Sequence, residues 1–167
     1  MFTRKVDEEL ELALVNEAYA ECYEQLVKEN YDYLNQWLAW PPHCRSAQDF
    51  RNFVKRSLHD YADGKSMTCG ILYQGELVGN VSFNSIDHNL KKVEIGYWLA
   101  QSHQGKGIVT RICRKLIEIA FTELGMEKVQ ISAAVENIAS RAVCERLGMA
   151  LEGEISNAEN LNGRIVD

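Results

Sequence analysis

The chain has 167 residues, of which 46% are hydrophobic and 25% charged, and its formal net charge is −6 at pH 7. This length is enough for one well-packed core and short for two, so we expect a single domain over 1–167. The acidic balance argues against general binding to nucleic acid or anionic membranes, and with no apolar run of about 18 residues and no apolar leader we expect a cytoplasmic protein.

The first part of the sequence predicts one strand followed by helices. Acidic residues alternate with Leu10, Leu12 and Leu14, as in a half-buried strand. Helical spacing then takes over, and Ser46 is a suitable N-cap for the last of these helices. The predicted elements are a strand over 8–15 and helices over 17–29, 31–38 and 46–63.

The second part predicts consecutive strands and then alternating helices and strands. A tight turn at Gln74 and Gly75 joins the first two strands, and Gly125 and Gly148 follow the predicted helices as stop signals. The predicted elements are strands over 67–73, 76–84 and 92–99, a helix over 107–124, a strand over 128–134, a helix over 140–147 and a strand over 150–155. This order indicates an α+β fold with a mixed sheet flanked by helices.

A glycine-containing loop before the 107–124 helix is the most informative segment. Gly105 and Gly107 let the backbone approach an anion closely, at a helix N-terminus where four N–H groups lack helical partners. From Gln104 to Lys115 the sequence has four cationic residues and no Asp or Glu. We therefore predict a pyrophosphate-binding loop made of Gln104, Gly105, Lys106, Gly107, Ile108, Val109 and Thr110. The alternative is an ordinary glycine-rich helix start with solvated basic side chains.

Two other phosphate-binding signatures do not match this loop. A Walker loop needs a Lys directly after its second glycine, but Lys106 lies between the two glycines. A dinucleotide-binding fingerprint needs a third glycine where Thr110 stands. The pattern that remains is Q-x-x-G-x-V after a strand.

The loop and a later segment together resemble the GNAT superfamily of acyl-CoA-dependent N-acetyltransferases. Gln104 and Gly107 match the family's pyrophosphate loop, and Val109 stands where the family usually has a small residue. The segment from Asn137 to Met149 is similar to the family's cofactor-binding helix. More narrowly, the strings over 93–99 and 37–41 resemble the ribosomal-protein N-terminal acetyltransferase branch.

This resemblance implies a single GNAT-like domain whose fourth and fifth strands splay apart to admit the pantetheine arm of acetyl-CoA. It also implies that Leu99, through its backbone at a bulge near Trp98, and Asn137, through its amide, bind this cofactor. An ordinary helix N-cap is the alternative role of Asn137. The family has a further strand near the position where this chain ends, so we expect the domain to lack its last C-terminal strand.

Amine attack on a thioester needs a base for the amine, a donor for the oxyanion and a proton for the leaving thiolate. Glu94 is the candidate base, because it lies among apolar residues in the strand that leads to the loop. A solvent-facing glutamate in an alternating strand is its alternative role. A backbone N–H near Leu99 is the candidate oxyanion donor. Ser140 is the candidate proton donor to the sulfur, and its alternative role is that of a first-turn helix residue.

Cysteines and histidines support no further chemistry. Cys144 stands where many relatives carry a tyrosine acid, which moves the proton-donor role to Ser140. As an acyl-accepting nucleophile, Cys144 would need an activating base, and none is evidently placed for it. The five cysteines form no C-x-x-C pair and the four histidines lack ligand spacing, so we expect free thiols and no metal site.

The resemblance implies an acetyl-CoA-dependent N-acetyltransferase that transfers the acetyl group directly to a primary amine, namely a protein N-terminus such as that of a ribosomal protein. One alternative is a small amine such as a polyamine or an antibiotic, which a buried Trp40 and an enclosed acidic pocket would favour. The other is a non-catalytic acyl-CoA-binding sensor module. Tyr31, Trp37 and Trp40 are candidates for the acceptor mouth. No nucleic-acid or membrane partner is expected, and family membership predicts a homodimer.

Overall fold

A computed structural model of the chain describes residues 2–167. The central feature is a six-stranded sheet in which spatial order follows sequence order. Its strands are β1 (Thr3–Lys5), β2 (Leu10–Leu14), β3 (Met67–Tyr73), β4 (Glu76–Asp87), β5 (Lys92–Leu99) and β6 (Lys128–Ile131). Neighbouring strands are antiparallel except β5 and β6, which are parallel. The predicted α+β class with a mixed sheet is confirmed.

Five α-helices accompany the sheet over the described residues. They are α1 (Ala20–Glu29), α2 (Tyr31–Asn35), α3 (Ala47–Ala62), α4 (Ile108–Thr122) and α5 (Ile138–Arg146). A capping box begins α3, because Ser46 Oγ accepts from the Asp49 N–H and the Asp49 carboxylate accepts from the Ser46 N–H. Between residues 2 and 167, no helix combines the length and apolar character that crossing a membrane requires.

Two apolar clusters cover opposite faces of the sheet. On one face α4 presents Ile108, Ile112 and Leu116, which helical spacing places on a single side, to β5 and its neighbours. On the other face the ring of Tyr23 in α1 packs edge-on against Trp98, and Phe50 in α3 stacks on Tyr23. Because side chains alternate along a strand, Trp98 and Leu99 of β5 belong to different clusters. The strand β5 therefore connects both halves of the core.

The predicted strand over 150–155 is wrong, because these residues have no regular secondary structure. All six are exposed, and the apolar Leu151 and Ile155 stand four residues apart with Gly153 between them. Such a pattern gives no continuous apolar face for a sheet to bury. The regular structure that follows is a separate hairpin of β7 (Glu159–Leu161) and β8 (Arg164–Val166).

Several predicted boundaries also move. The short strand β1 was not predicted, α2 ends at Asn35 instead of residue 38, and β6 ends at Ile131 instead of residue 134. The strand β4 continues to Asp87 because a register shift between Phe83 and Ser85 absorbs one residue as a bulge. The early end of β6 is the difference that bears on function.

Candidate active site

Strands β5 and β6 separate at the end of the sheet from which the 104–110 loop departs. Their last paired residues are Ile95 and Ile131, whereas β5 continues to Leu99 paired with β4 alone. These are the fourth and fifth strands predicted from the sequence, and they diverge as expected. Beyond Ile95, β5 has no strand on the side where β6 lay, and we refer to the space beside this part of β5 as the passage.

The backbone of Leu99 faces the passage. The Ala100 N–H donates to the Val78 carbonyl over 2.9 Å, and Leu99 lies opposite Gly79. In an antiparallel ladder this pattern makes Gly79 and Leu99 a pair without mutual hydrogen bonds, so the Leu99 N–H points away from β4. The bulge predicted near Trp98 is wrong, because the β4–β5 register is regular there. Ordinary strand alternation is sufficient to aim this N–H.

The loop that ends at α4 has the geometry of an anion-binding turn. Gly105 and Gly107 have φ angles of 79° and 70°, in the left-handed region that favours glycine. Gly107 is the N-cap of α4, and its carbonyl accepts the Arg111 N–H over 3.1 Å. This is the first hydrogen bond of the helix, so the backbone N–H groups of residues 108–110 have no partners within α4. The side chains of these three residues are buried. A Cβ at either glycine would meet no atom within 4 Å, so the space before the loop is open.

Two of the four cationic residues near the loop, Arg111 and Lys115, are paired with carboxylates. Arg111 pairs with Asp7 over 2.8 Å and with Glu9 over 3.2 Å. Its other terminal nitrogen donates to the Lys106 carbonyl over 3.2 Å, which ties the loop to the helix. The Lys106 ammonium lies 5.1 Å from the centre of the Tyr73 ring. Arg111 therefore contributes to the shape of the loop more than to its charge.

Helix α5 lies beside both the passage and the loop. Ser140 Oγ is 2.6 Å from the Tyr97 hydroxyl, which lies beyond the last β5–β6 pair. Near the other end of α5, Arg146 Nη1 is 3.5 Å from Thr110 Oγ1 in the first turn of α4. Asn137 is the N-cap of α5, and its side-chain oxygen accepts the Ser140 N–H over 3.2 Å. The predicted cofactor residues thus converge around one surface, with the exposed Gln104 at its outer end.

Tyr97 and Asn84 are two further polar residues of this region that the sequence did not single out. Tyr97 continues the alternation of Val93 and Ile95, so the pattern indicated only a core-facing residue. Burial raises the pKa of the Tyr97 hydroxyl to about 12. Asn84 lies over Gly96, where a Cβ would come within 2.3 Å of the amide nitrogen. A glycine inside a strand was the available signal for this close approach.

Glu94 lies on the opposite face of the sheet from Ser140. Because Val93 and Ile95 pack in the α4 cluster, Glu94 points to the face that holds Trp98. It is half-buried, and the Gln130 amide donates to it over a long 3.5 Å contact. The two predicted catalytic residues therefore face opposite ends of the passage.

An open groove of about 480 Å³ lies on the Trp98 side of the sheet. Its half-buried Trp40 packs against Trp98, with 5.9 Å between the ring centres. Trp37 instead lies under Arg164, and Tyr31 lies under Arg45, so of the three predicted mouth residues Trp40 alone lines this groove. The lining comes from the segment after α2 and from the terminal hairpin: Ala39, Trp40, His43, Asn160, Asn162 and Gly163.

Metal-ligating and nucleophilic side chains are both expected to be without a role in the chemistry. Over residues 2–167, no cluster of three or more His, Cys, Asp and Glu side chains could hold a metal ion. Cys144 is half-buried, and burial raises the pKa of its thiol, which disfavours the nucleophilic thiolate.

Known proteins with similar sequences are acetyltransferases. A family model described as an acetyltransferase (GNAT) domain matches residues 10–150. The ribosomal-protein-serine acetyltransferase of Escherichia coli (strain K12) is 37% identical over 160 residues, which cover 96% of this chain and 89% of that protein.

Solved structures agree over almost the whole chain. RimL, a ribosomal L7/L12 alpha-N-protein acetyltransferase in complex with coenzyme A, matches with a TM-score of 0.94 and 33% identity, over 98% of this chain and 93% of RimL. The microcin C7 self-immunity acetyltransferase MccE, in complex with acetyl-CoA and AMP, matches with a TM-score of 0.93 and 36% identity, over 99% of this chain and 92% of MccE. Both relatives were thus solved with coenzyme A or its acetyl form.

Proposed function

Since this chain belongs to the GNAT acetyltransferase family, we propose that it transfers an acetyl group from acetyl-CoA directly to the α-amine of a protein N-terminus, such as that of a ribosomal protein. The names of the E. coli relative and of RimL support a ribosomal-protein acceptor. Such an acceptor would place the enzyme in the cytoplasm. The homodimer suggested by family membership stays a prediction.

The observation that carries this proposal is the passage beside the start of α4. Backbone N–H groups of residues 105–110 suit the pyrophosphate of acetyl-CoA, because they meet the positive end of the helix dipole. The open space before Gly105 and Gly107 leaves room for the phosphates, and Gln104 would contact them from the outer end. The Asn137 amide nitrogen would bind the pantetheine arm, since its oxygen is already used as the cap of α5.

Bound acetyl-CoA supplies the thioester whose carbonyl carbon the amine attacks. We assign the Leu99 N–H as the donor to the oxyanion, because strand alternation aims it into the passage. Glu94 takes the proton released by the attacking nitrogen, directly or through water, and Ser140 gives a proton to the departing sulfur. An α-amine has a reference pKa of about 7.7–8.0, so it needs less help from a base than a lysine does.

The groove at Trp40 favours a peptide over a polyamine. Of the described residues that line it, none is a carboxylate, although a polycation would need such partners. The groove is open and Trp40 is only half-buried, in contrast to the enclosed acidic pocket that a small cationic acceptor predicts. An extended chain end can therefore enter along the groove and reach the passage beside Trp98.

The experiment is a thiol-release assay with matched acceptors. The panel contains a peptide with a free N-terminal serine and an internal lysine, the same peptide with its N-terminus blocked, and spermidine. We expect kcat/KM for the free peptide to exceed the other values by about tenfold or more, which corresponds to about 1.4 kcal/mol. Faster transfer to spermidine or to the blocked peptide would contradict the proposed acceptor. Acetyl-CoA binding without transfer to any amine would instead indicate a sensor module.

A further inference from the structure

The contact between Tyr97 and Ser140 lies where the reaction would occur. The two hydroxyl oxygens are 2.6 Å apart, a short distance for an O–H···O hydrogen bond. Tyr97 belongs to the part of β5 that has lost β6 as a neighbour, so the hydroxyl pair spans the passage between the sheet and α5. The Ser140 backbone is held independently by the Asn137 cap.

The direction of this hydrogen bond decides what Ser140 can do. Each hydroxyl has one proton. If Ser140 donates to Tyr97, its proton is not available to a departing sulfur. If Tyr97 donates to Ser140, the serine proton is free to point elsewhere. A phenol is a stronger acid than an aliphatic alcohol, so Tyr97 is the better donor of the two hydroxyls. Burial raises the pKa of Tyr97 to about 12, so this phenol also keeps its proton at neutral pH.

We propose that Tyr97 is a positioning residue that donates its hydroxyl proton to Ser140 Oγ and thereby directs the Ser140 proton at the leaving sulfur. This inference rests on the proposed function. As the carbon–sulfur bond breaks, the sulfur takes the Ser140 proton, and Ser140 recovers a proton through water from those that the attacking nitrogen releases. Tyr97 keeps its own proton throughout, so the protein returns to its starting state.

A merely structural hydrogen bond would have a different signature. In that role the pair would dock α5 against β5, and its loss would weaken acetyl-CoA binding or lower stability. In the positioning role, loss of the Tyr97 hydroxyl lowers kcat while the affinity for acetyl-CoA is kept. In a variant that already lacks the Ser140 hydroxyl, loss of the Tyr97 hydroxyl has no further effect on kcat.

The test is a double-mutant cycle with Tyr97→Phe, Ser140→Ala and the double variant, with Tyr61→Phe on α3 as the control for loss of a remote tyrosine hydroxyl. We expect Tyr97→Phe to lower kcat about tenfold with an unchanged acetyl-CoA Kd, and the double variant to match Ser140→Ala. Tyr61→Phe should behave as wild type.

Independent, multiplying losses in the double variant would overturn the inference, as would a wild-type kcat in Tyr97→Phe or in Ser140→Ala. Since Phe keeps the ring, a Tyr97→Phe variant that binds acetyl-CoA more than about twofold less tightly would show a structural role and also overturn it. If wild-type protein transfers acetyl to no amine, the proposed function fails before any variant is compared.

Discussion

Glu94 and Ser140 show how far individual residues could be assigned from the sequence. Their chemical types pointed to a base and a proton donor, and the structure places them on opposite faces of β5. This separation agrees with an amine that arrives from one face and a thioester that arrives from the other. Tyr97 was missed because alternation reveals the face of a residue but not its hydrogen-bond partner on a distant helix.

Replacement of Glu94 by glutamine tests its role as the base. We expect Glu94→Gln to lower kcat more at pH 6.5 than at pH 9, because the α-amine is largely neutral at the higher pH and needs no base. Acetyl-CoA affinity should be unchanged. The measurement is a pH–rate profile beside Glu76→Gln, which makes the same charge change at an exposed position in β4. A pH–rate profile of Glu94→Gln parallel to that of wild type would show that Glu94 is not the catalytic base.

The divergence of β5 from β6 is the element-level feature on which the site depends. Both strands were predicted from their composition, but the end of β6 was placed too late, because residues 132–134 are Ser-Ala-Ala and lack the β-branched and aromatic side chains that favour a strand. The pairing of β5 with β6 ends at Ile95 and Ile131. The position of this end depends on both strands and on the helices packed around them. The predicted 150–155 strand is absent for a local reason, because Gly153 interrupts the apolar face that Leu151 and Ile155 would share.

A glycine in β4 keeps the end of β5 in place. A Cβ at Gly79 would come within 2.3 Å of the Trp98 carbonyl oxygen and 3.0 Å of the Leu99 Cα. We expect Gly79→Ala to push these strands apart and to lower the free energy of unfolding by about 1–3 kcal/mol, measured by urea denaturation. Gly153→Ala is the control, because no atom lies within 4 Å of its added Cβ. Equal stability of the two variants would show that β4 yields easily at Gly79.

For the whole molecule, composition and element order predicted the fold class, while the electrostatics were only partly predictable. The four cationic residues after Gln104 suggested a basic patch, but Arg111 pairs with Asp7 and Glu9 from the other end of the sequence. Long-range ion pairs of this kind do not show in a local charge count. The proposed anion site therefore relies less on Arg111 and more on the backbone N–H groups at the start of α4, where the glycine pattern placed it.

Calorimetric titration with acetyl-CoA of wild type, Gly107→Val and Gly125→Val tests this conclusion. Gly107 and Gly125 both have positive φ, at 70° and 66°, and neither has an atom within 4 Å of an added Cβ, so valine strains the backbone similarly at either position. Gly107 is part of the 104–110 loop, whereas Gly125 follows the far end of α4. We expect one site with a Kd on the order of micromolar in wild type and in Gly125→Val, and at least about tenfold weaker binding in Gly107→Val. Absence of binding by wild type, or equal affinity in the two variants, would contradict a pyrophosphate site at the start of α4.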